Sequence, residues 1–562
     1  MTDLSDRHTG DVALGPLLQA GVDIMFTLNG GHVWPLYDAA SKAGMRIVDT
    51  RHEQTAVWAA EAWAKLTRGP GLAVLTAGPG VTNGVSAITS AFFNGSPLVV
   101  LGGRAPQGRW GAGSLQEIDH LPIVSSVTKM AATAFDSDQA RSLVAGALRT
   151  AMEAHRGPVF VDFPMDVLFS PVSPPAGTSA ATSAAAPGAG AGRRARTGAD
   201  PRSGDQAGGS GGDIGRVAEL IARAERPGLI VGSDVYWAGA WESLRRAAEA
   251  MEIPCYANGM GRGCLPGDHR LAFSRTRSML SKEADLVVVA GTPLDFRLNF
   301  GRFGEARVVH LVDSPEAKSP LAPSTASVAG DLAAAFEAIA AWNGPVADHS
   351  EWVSRLRDAE SAHIAADLVK LRSESNPIKP TRVFGELNER LDRDAVVICD
   401  GGDFASYAGK YVTTFTPGCW LDTGPYGCLG NGLGYAAAAR LARPDSQVVA
   451  VLGDGAAGFA LGDLDTLVRH QLPAVLIVGN NGIWGLEKHP MRAVYGYDVA
   501  CDLRPGTRYD LVAQALGADG ETVTDPAGIG PALDRAFASK VPYVVNVLTD
   551  PDDQYPRSSN LG

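Results

Sequence analysis

Two stretches decide how this chain is read: Val448-Val-Ala-Val-Leu-Gly-Asp-Gly-Ala-Ala-Gly458 and, further on, Gly479-Asn-Asn-Gly-Ile-Trp-Gly-Leu-Glu487. A β-branched apolar run feeds a glycine turn and then a helix. A second apolar run, Ala474-Val-Leu-Ile-Val478, feeds the pair Asn480-Asn481. The turn satisfies G-x-G-x-x-G, which alone is a weak dinucleotide signal. Asp454 argues against that reading, because its carboxylate sits where a diphosphate would rest on backbone N–H groups. A divalent cation removes the conflict: a hard ion such as Mg²⁺ takes carboxylate, amide and carbonyl oxygens together with phosphate oxygens. Asp454 and Asn481 fall at the C-terminal ends of two apolar runs, where open α/β sheets bind ligands. The helix after Gly455 adds phosphate-binding N–H groups.

The order Gly-Asp-Gly, then a long spacer, then Asn-Asn resembles the signature of the thiamin diphosphate (ThDP)-dependent family. That family includes acetolactate synthases, oxalyl-CoA decarboxylases and 2-hydroxyacyl-CoA lyases. The resemblance covers nearly the whole chain except a low-complexity stretch. It implies Mg²⁺ held by Asp454, Asn481 and the backbone carbonyl of Ile483. It also implies a diphosphate resting on the loops that carry Gly453, Gly455, Ala456, Trp484 and Gly485.

With 562 residues, several domains are expected. A hydrophobic content of 45% and a charged content of 20% describe a globular protein. A net charge of −12 argues against nucleic-acid binding. The six cysteines form no C-x-x-C pair, so neither a disulfide framework nor a zinc site is suggested. No apolar run reaches membrane-spanning length and the N-terminus lacks a signal-peptide layout, so a cytoplasmic enzyme is expected.

The predicted fold is α/β, with three doubly wound parallel-sheet domains. Residues 10–170 alternate strands and helices: a strand at Ile47-Val48, a helix from Glu53 to Leu66, a strand from Leu72 to Leu75, a helix from Gly84 to Phe93, and strands from Pro97 to Leu101 and Val159 to Phe163. Such alternation predicts a parallel sheet. Residues 171–212 are almost entirely Ala, Gly, Ser, Pro, Thr and Arg and read as a linker. Residues 213–345 form a second unit, with strands at 228–232, 286–290 and 308–312. Residues 375–550 form a third, with strands at 396–399, 448–452, 474–478 and 543–548. By resemblance these are the pyrimidine, middle and diphosphate domains, followed by a polar tail or lid at 551–562.

The second half of the site follows from the same resemblance. Glu53, in Thr50-Arg-His-Glu-Gln-Thr-Ala56, takes the position of the acid that hydrogen-bonds N1′ of the aminopyrimidine. ThDP must lose its C2 proton to its own 4′-imino group, and that tautomer requires a carboxylic acid at N1′. On residues alone, a first-turn Glu favoured by the helix dipole is the competing reading. Pro79 and Asn83, in Thr76-Ala-Gly-Pro-Gly-Val-Thr-Asn83, are cofactor neighbours by resemblance; backbone work at a helix entry is the alternative. In Tyr426-Gly-Cys-Leu-Gly-Asn-Gly-Leu-Gly434, Leu429 takes the place of the wedge that keeps the cofactor bent, and the Gly427 carbonyl that of the acceptor for its 4′-amino group. Gly402, Asp403 and Phe404 bracket the diphosphate, mostly through backbone groups; Asp403 equally suits a helix cap. In the family the two halves come from different subunits, so a homodimer or homotetramer with interfacial active sites is implied.

The branch of the family rests on fewer residues. Glu487, just beyond the metal loop, stands where acetolactate synthases are apolar, and would move protons. The tail Tyr555-Pro-Arg-Ser-Ser-Asn-Leu561 is similar to the ends of actinobacterial 2-hydroxyacyl-CoA lyase-like proteins, which points Arg557 at a CoA phosphate. Arg277 aligns with a nucleotide-contacting Arg of the acyl-CoA branch, and Arg297 and Arg302 lie on a nearby loop. Arginines suit phosphate recognition. The middle domain is open to ADP or another nucleotide, and the acetolactate branch binds flavin there. Gln116 and His32, beside Gly30-Gly31, are substrate-side residues, with His32 replacing a small residue of acetolactate synthases. Ser114-Leu-Gln116 departs from the Tyr-Glu pair of oxalyl-CoA decarboxylases. The reading is therefore a 2-hydroxyacyl-CoA lyase, cleaving the C1–C2 bond to formyl-CoA and an aldehyde or ketone. Its alternatives are acetolactate synthase, oxalyl-CoA decarboxylase and, from another class, an inactive regulatory subunit. Intact Glu53, Asp454 and Asn481 weigh against the last.

Overall fold

The computed structural model describes residues 7–172 and 211–556, apart from 318, 320 and 323. Most of the linker read at 171–212, and Arg557 in the tail, lie outside the described residues.

Runs such as Val448–Gly453 and Leu286–Ala290 are apolar along their whole length and buried throughout. Strands covered on both faces need such runs, and parallel sheets with flanking helices provide the cover. The described residues build three six-stranded sheets, and every pairing within them is parallel. This is the α/β, doubly wound architecture that the sequence predicts.

The first sheet runs, across its width, Arg46–Asp49, Ile24–Thr27, Gly71–Leu75, Leu98–Arg104, Pro158–Pro164, Met130–Thr133. The third runs Trp420–Asp422, Val396–Asp400, Val448–Gly453, Val475–Asn480, Tyr543–Leu548, Asp519–Val523. Numbered within each unit, both have the order 2-1-3-4-6-5. Their order reverses between the first and third strands, where open α/β sheets form a ligand crevice. The middle sheet has the order 6-5-4-1-2-3, the arrangement of dinucleotide-binding sheets. Its crevice opens between Pro227–Val231 and Leu286–Ala290.

The first and third units pack together through two helices, Glu53–Thr67 and Gly432–Ala442. Gly434 permits the contact: a Cβ there would press on the Trp58 side chain and the Thr55 carbonyl. Trp58 meets Tyr435 edge-on, with ring centroids 5.9 Å apart. Beside them, buried Lys65 donates to Tyr435 Oη at 2.8 Å and pairs with Glu61 at 3.0 Å. The Tyr435 hydroxyl donates to Glu61 in turn. The Glu53 helix is therefore anchored to the unit that carries the Asp454 turn.

Candidate active site

The third unit contributes a cavity of about 490 Å³ at its crevice. Its floor is made where two strands end. Val448–Gly453 runs directly into the helix Asp454–Ala460, so the N–H groups of its first turn face the cavity. Gly453, Asp454, Gly455 and Ala456 all line it. The Asp454 carboxyl is buried and accepts from the Gly482 N–H at 2.8 Å. Burial pushes it up to about 6, and the nearby Asp403 adds to the rise. Asp403 is buried too, and burial likewise raises its carboxyl. Two buried acids on one wall are costly without a cation, which suits a hard divalent ion.

The neighbouring strand, Val475–Asn480, delivers the asparagine pair. Asn480 turns inward and donates to the Thr507 carbonyl and to Asn546 Oδ1. Asn481 faces the acids: its amide donates to Asp403 at 3.0 Å, and its Oδ1 accepts from the Ile483 N–H. Ile483, Trp484 and Gly485 continue the wall. A Cβ at Gly485 would collide with the Asp403 carboxylate, and one at Gly455 with the Trp484 ring. These glycines hold open a cradle that a side chain would fill. The oxygen donors Asp454 and Asn481, with the Ile483 carbonyl, are a set that fits Mg²⁺ and a diphosphate.

Leu429 and Gly427 sit on the opposite rim. The Leu429 side chain presses on Gly401, which holds φ +52° and has no room for a side chain. Sequence reading missed the residue that fixes this loop. Asp400, fully buried, accepts from the Gly430 N–H at 2.8 Å and the Gly432 N–H at 2.9 Å. Burial lifts its carboxyl to about 6 while these N–H groups hold it down. Its signal was an acid placed just before a glycine pair at a strand end. Gly402 and Asp403 line the cavity, but the Phe404 ring turns into the core, 5.0 Å from that of Phe384. Phe404 itself does not line the cavity. Glu487 lines the cavity from the first turn of the helix Gly485–Tyr495 and is exposed.

The first unit contributes a separate cavity of about 510 Å³. Glu53, His32, Pro79 and Gln116 line it, with Gly30, Gly31 and Thr76. Glu53 is the first residue of its helix and is buried; His52 caps the turn by accepting from the Gln54 N–H. Asn83 donates to Glu53 at 3.0 Å, so it works through the acid. His32 is buried beside the Thr76 hydroxyl, and burial lowers its basicity. Gln116 holds φ +60°, with its backbone against Gly78. A buried pair supports this loop: His120 accepts from the Gly78 N–H at 3.0 Å and bonds Asp162 at 2.9 Å through its other nitrogen. Neither was singled out from sequence. The two cavities of one chain share no lining residue.

The middle unit reaches the diphosphate cavity with Asn258, Arg262, Phe296 and Arg297. Arg297 is fastened to Asp295 at 2.7 Å. Arg262 and Gly409 also border a third cavity, of about 450 Å³, lined by Arg275, Arg277, Arg357 and Lys410. Arg275 pairs with Asp367. Arg262 and Arg277 instead donate to backbone carbonyls, of Gly409 and Arg297. Burial, together with Arg262 and Arg297 nearby, lowers Arg277 to about 10. Arg302 is exposed and lines neither the first nor the third of these cavities.

Comparison with known proteins agrees with this geometry. The family model for the thiamine pyrophosphate enzyme N-terminal TPP binding domain matches residues 7–123. That for the central domain matches 214–339, and that for the C-terminal TPP binding domain 400–547. The chain is 50% identical over 556 residues to a probable acetolactate synthase of Mycobacterium bovis, covering 99% of this chain and 98% of the relative. It is 36% identical over 538 residues to 2-hydroxyacyl-CoA lyase 2 of Bos taurus, covering 92% and 85%. With 2-hydroxyacyl-CoA lyase 2 of Homo sapiens it shares 34% over 538 residues, again 92% and 85%. The chain belongs to the thiamine pyrophosphate enzyme family. It is a ThDP-dependent enzyme, and its cofactor is ThDP, which the family generally binds with a divalent metal ion.

Proposed function

We propose that this enzyme is a 2-hydroxyacyl-CoA lyase of the cytoplasm, releasing formyl-CoA and an aldehyde or ketone. The observation that carries the reading is the arginine-lined cavity joined to the diphosphate cavity through Arg262 and Gly409. Arg262 and Arg277 are half-buried and donate to backbone carbonyls. Asp422 lies near Arg262 and Asp295 near Arg277, but among the described residues neither arginine is closed in an ion pair, and a phosphate-bearing substrate such as a CoA ester would bind them by charge-assisted hydrogen bonds. Pyruvate carries no phosphate, so on an acetolactate synthase reading the same arginines would instead face a flavin. On this reading Arg277 and Arg297 face the CoA end, and Arg557 belongs to the same end by sequence alone. Arg302, on the surface, is not part of it.

Bound ThDP supplies a nucleophilic carbon and an electron sink. The chain's part is to place and protonate. Asp454, Asn481 and the Ile483 carbonyl hold the metal, and Gly453, Gly455 and Ala456 the diphosphate. Leu429 would pack against the bound cofactor and help hold it bent. Glu53, steadied by Asn83, keeps a proton at N1′. Glu487 takes and returns protons at the substrate hydroxyl and the product carbon. His32 and Gln116 shape the substrate side. The middle-domain crevice holds ADP or a related nucleotide.

Glu53 and Asp454 of one chain line different cavities, which supports a site shared between two chains: each active centre joins the first unit of one copy to the third unit of another. A second reading is acetolactate synthase, favoured by the 50% identity to a relative of that name. The test offers the purified protein, with ThDP and Mg²⁺, 2-hydroxyacyl-CoA esters or pyruvate. Formyl-CoA is the expected product; acetolactate alone would overturn the lyase reading.

A further inference from the structure

We infer that Asp463 is a positioning residue that sets Glu53 and ties it to the metal turn of its own chain. Both oxygens of this buried carboxylate are used. Oδ1 accepts from the Arg51 N–H at 2.7 Å and from the Thr466 hydroxyl at 2.8 Å. Oδ2 accepts from the Thr55 hydroxyl at 2.6 Å. Arg51 lies two residues before Glu53 and Thr55 two residues after it, so a single carboxylate brackets the acid. The seam continues beyond it: Arg469 pairs with Asp49 at 2.8 Å, and His470 with the same Asp49 at 3.0 Å. Residues 49–55, which carry the turn into the Glu53 helix, are thus docked onto residues 463–470.

The other end of the connection is the metal turn. From Asp454 the chain runs through the helix Asp454–Ala460 and one tight turn, Leu461–Asp463, straight to the docking carboxylate. The two short helical segments, joined at Ala460 with its φ of −136°, leave only eight residues between the two acids. A metal and a diphosphate drawing on Asp454, Gly455 and Ala456 therefore act on Asp463, and through it on the segment that aims Glu53. In one chain these residues line different cavities. Resting on the shared-site reading above, Asp463 connects the two active centres of a dimer: filling one diphosphate cavity sets the carboxylate that serves the other.

The test uses the full chain. Asp463→Asn keeps the size of the side chain but replaces one acceptor with a donor. In the apo protein the Arg51 amide should lose protection from deuterium exchange, a readout independent of turnover. With ThDP and Mg²⁺ bound, deuterium exchange at the cofactor's C2 should slow roughly tenfold or more, since small misplacements of a catalytic group carry penalties of that order. ThDP affinity should stay within about threefold. In wild type, C2 exchange per bound cofactor should rise between half and full occupancy; in the variant it should not depend on occupancy. Should Asp463→Asn fail to fold, Thr55→Val removes only one bond and should show the same pattern more weakly. Equal losses of affinity and C2 exchange would mark Asp463 as a mere docking contact and overturn the inference. So would a wild-type exchange rate that ignores occupancy. A wild-type monomer active by itself would instead remove the shared site, and the coupling with it. The Arg51 amide distinguishes that case from loss of the Asp463 bracket.

Discussion

The first and third sheets have the same strand order, yet they make their cavities from different material. In the third unit the wall is largely backbone: glycines at 453, 455 and 485 and the first turn of a helix, with two buried acids among them. In the first unit the wall is side chains: Glu53, His32, Thr76 and Gln116, drawn from four separate segments. The difference matches what each must hold. A diphosphate with its metal is a compact charge that N–H groups and hard oxygens can surround. An aminopyrimidine needs one acid at one atom, and that acid must be aimed. On the proposed assignment, one crevice serves binding and the other activation.

The largest effect should come from the binding side. Asp454→Ala removes a charged metal ligand. Even groups standing behind metal ligands are worth about 10–100-fold in affinity, so ThDP retention in the presence of Mg²⁺ should fall by more than about 100-fold and activity with it. Calorimetric titration measures this. Cofactor binding that persists at wild-type strength, and that EDTA does not disturb, would break the assignment of this crevice to a metal.

Glu53→Gln tests the opposite crevice. ThDP should still bind, because the diphosphate grip is elsewhere, while kcat falls about 100-fold or more, the scale of lost acid–base catalysis. Binding and turnover should therefore separate between the two variants. If Glu53→Gln loses ThDP affinity as badly as Asp454→Ala, the division of labour drawn between the crevices is wrong.

The same contrast governs what could be read from the chain. The third crevice was legible because its parts lie on two contiguous runs, and Val448–Gly453 ends directly on the residues that matter. The first was legible through family resemblance, which named Glu53, Pro79, His32 and Gln116 on its wall, but not through any contiguous run. His120 and Asp162 lie far from Gly78 in sequence, and only the fold brings them to it. Strand reading failed mostly at the margins. Trp420–Asp422, Met130–Thr133 and Ala272–Phe273 are short and at sheet edges, with too few apolar residues to stand out. Ile24–Thr27 is different: it is wholly buried but only four residues long. The helix expected from Gly84 begins at Pro79, because a proline read as a turn signal is also at home in a first helical turn. Arg262 and Arg277 meet in one cavity through tertiary packing, which no local pattern announces.

A finer probe of the backbone-built wall is Gly485→Ala. The added methyl would meet the Asp403 carboxylate, which in turn holds Asn481 at 3.0 Å. Displacing that pair should weaken ThDP binding by about 30-fold, within the range for groups that orient metal ligands. kcat at saturating cofactor should change much less. A normal affinity would mean that Asp403 moves aside freely and does not orient Asn481.

The smallest expected effect bears on a wall that belongs to neither crevice. Arg277→Met keeps much of the side-chain volume and removes the charge. If the arginine cavity receives a CoA phosphate, KM for a 2-hydroxyacyl-CoA should rise about tenfold, since a charge-assisted hydrogen bond is worth about 1.5–3 kcal/mol. kcat should be little affected, because the contact is made equally in ground and transition states. Any turnover of pyruvate should not respond at all. Stability supplies an independent check. Burial and two neighbouring arginines already disfavour the charged form of Arg277, so its removal should leave the apo protein's thermal midpoint unchanged or higher, as when buried charges give way to apolar groups. A residue retained for the fold would show the reverse: a lower midpoint and an unaltered KM. That result would leave the diphosphate and pyrimidine crevices as they are, and would move the substrate from the CoA esters to a smaller acid such as pyruvate.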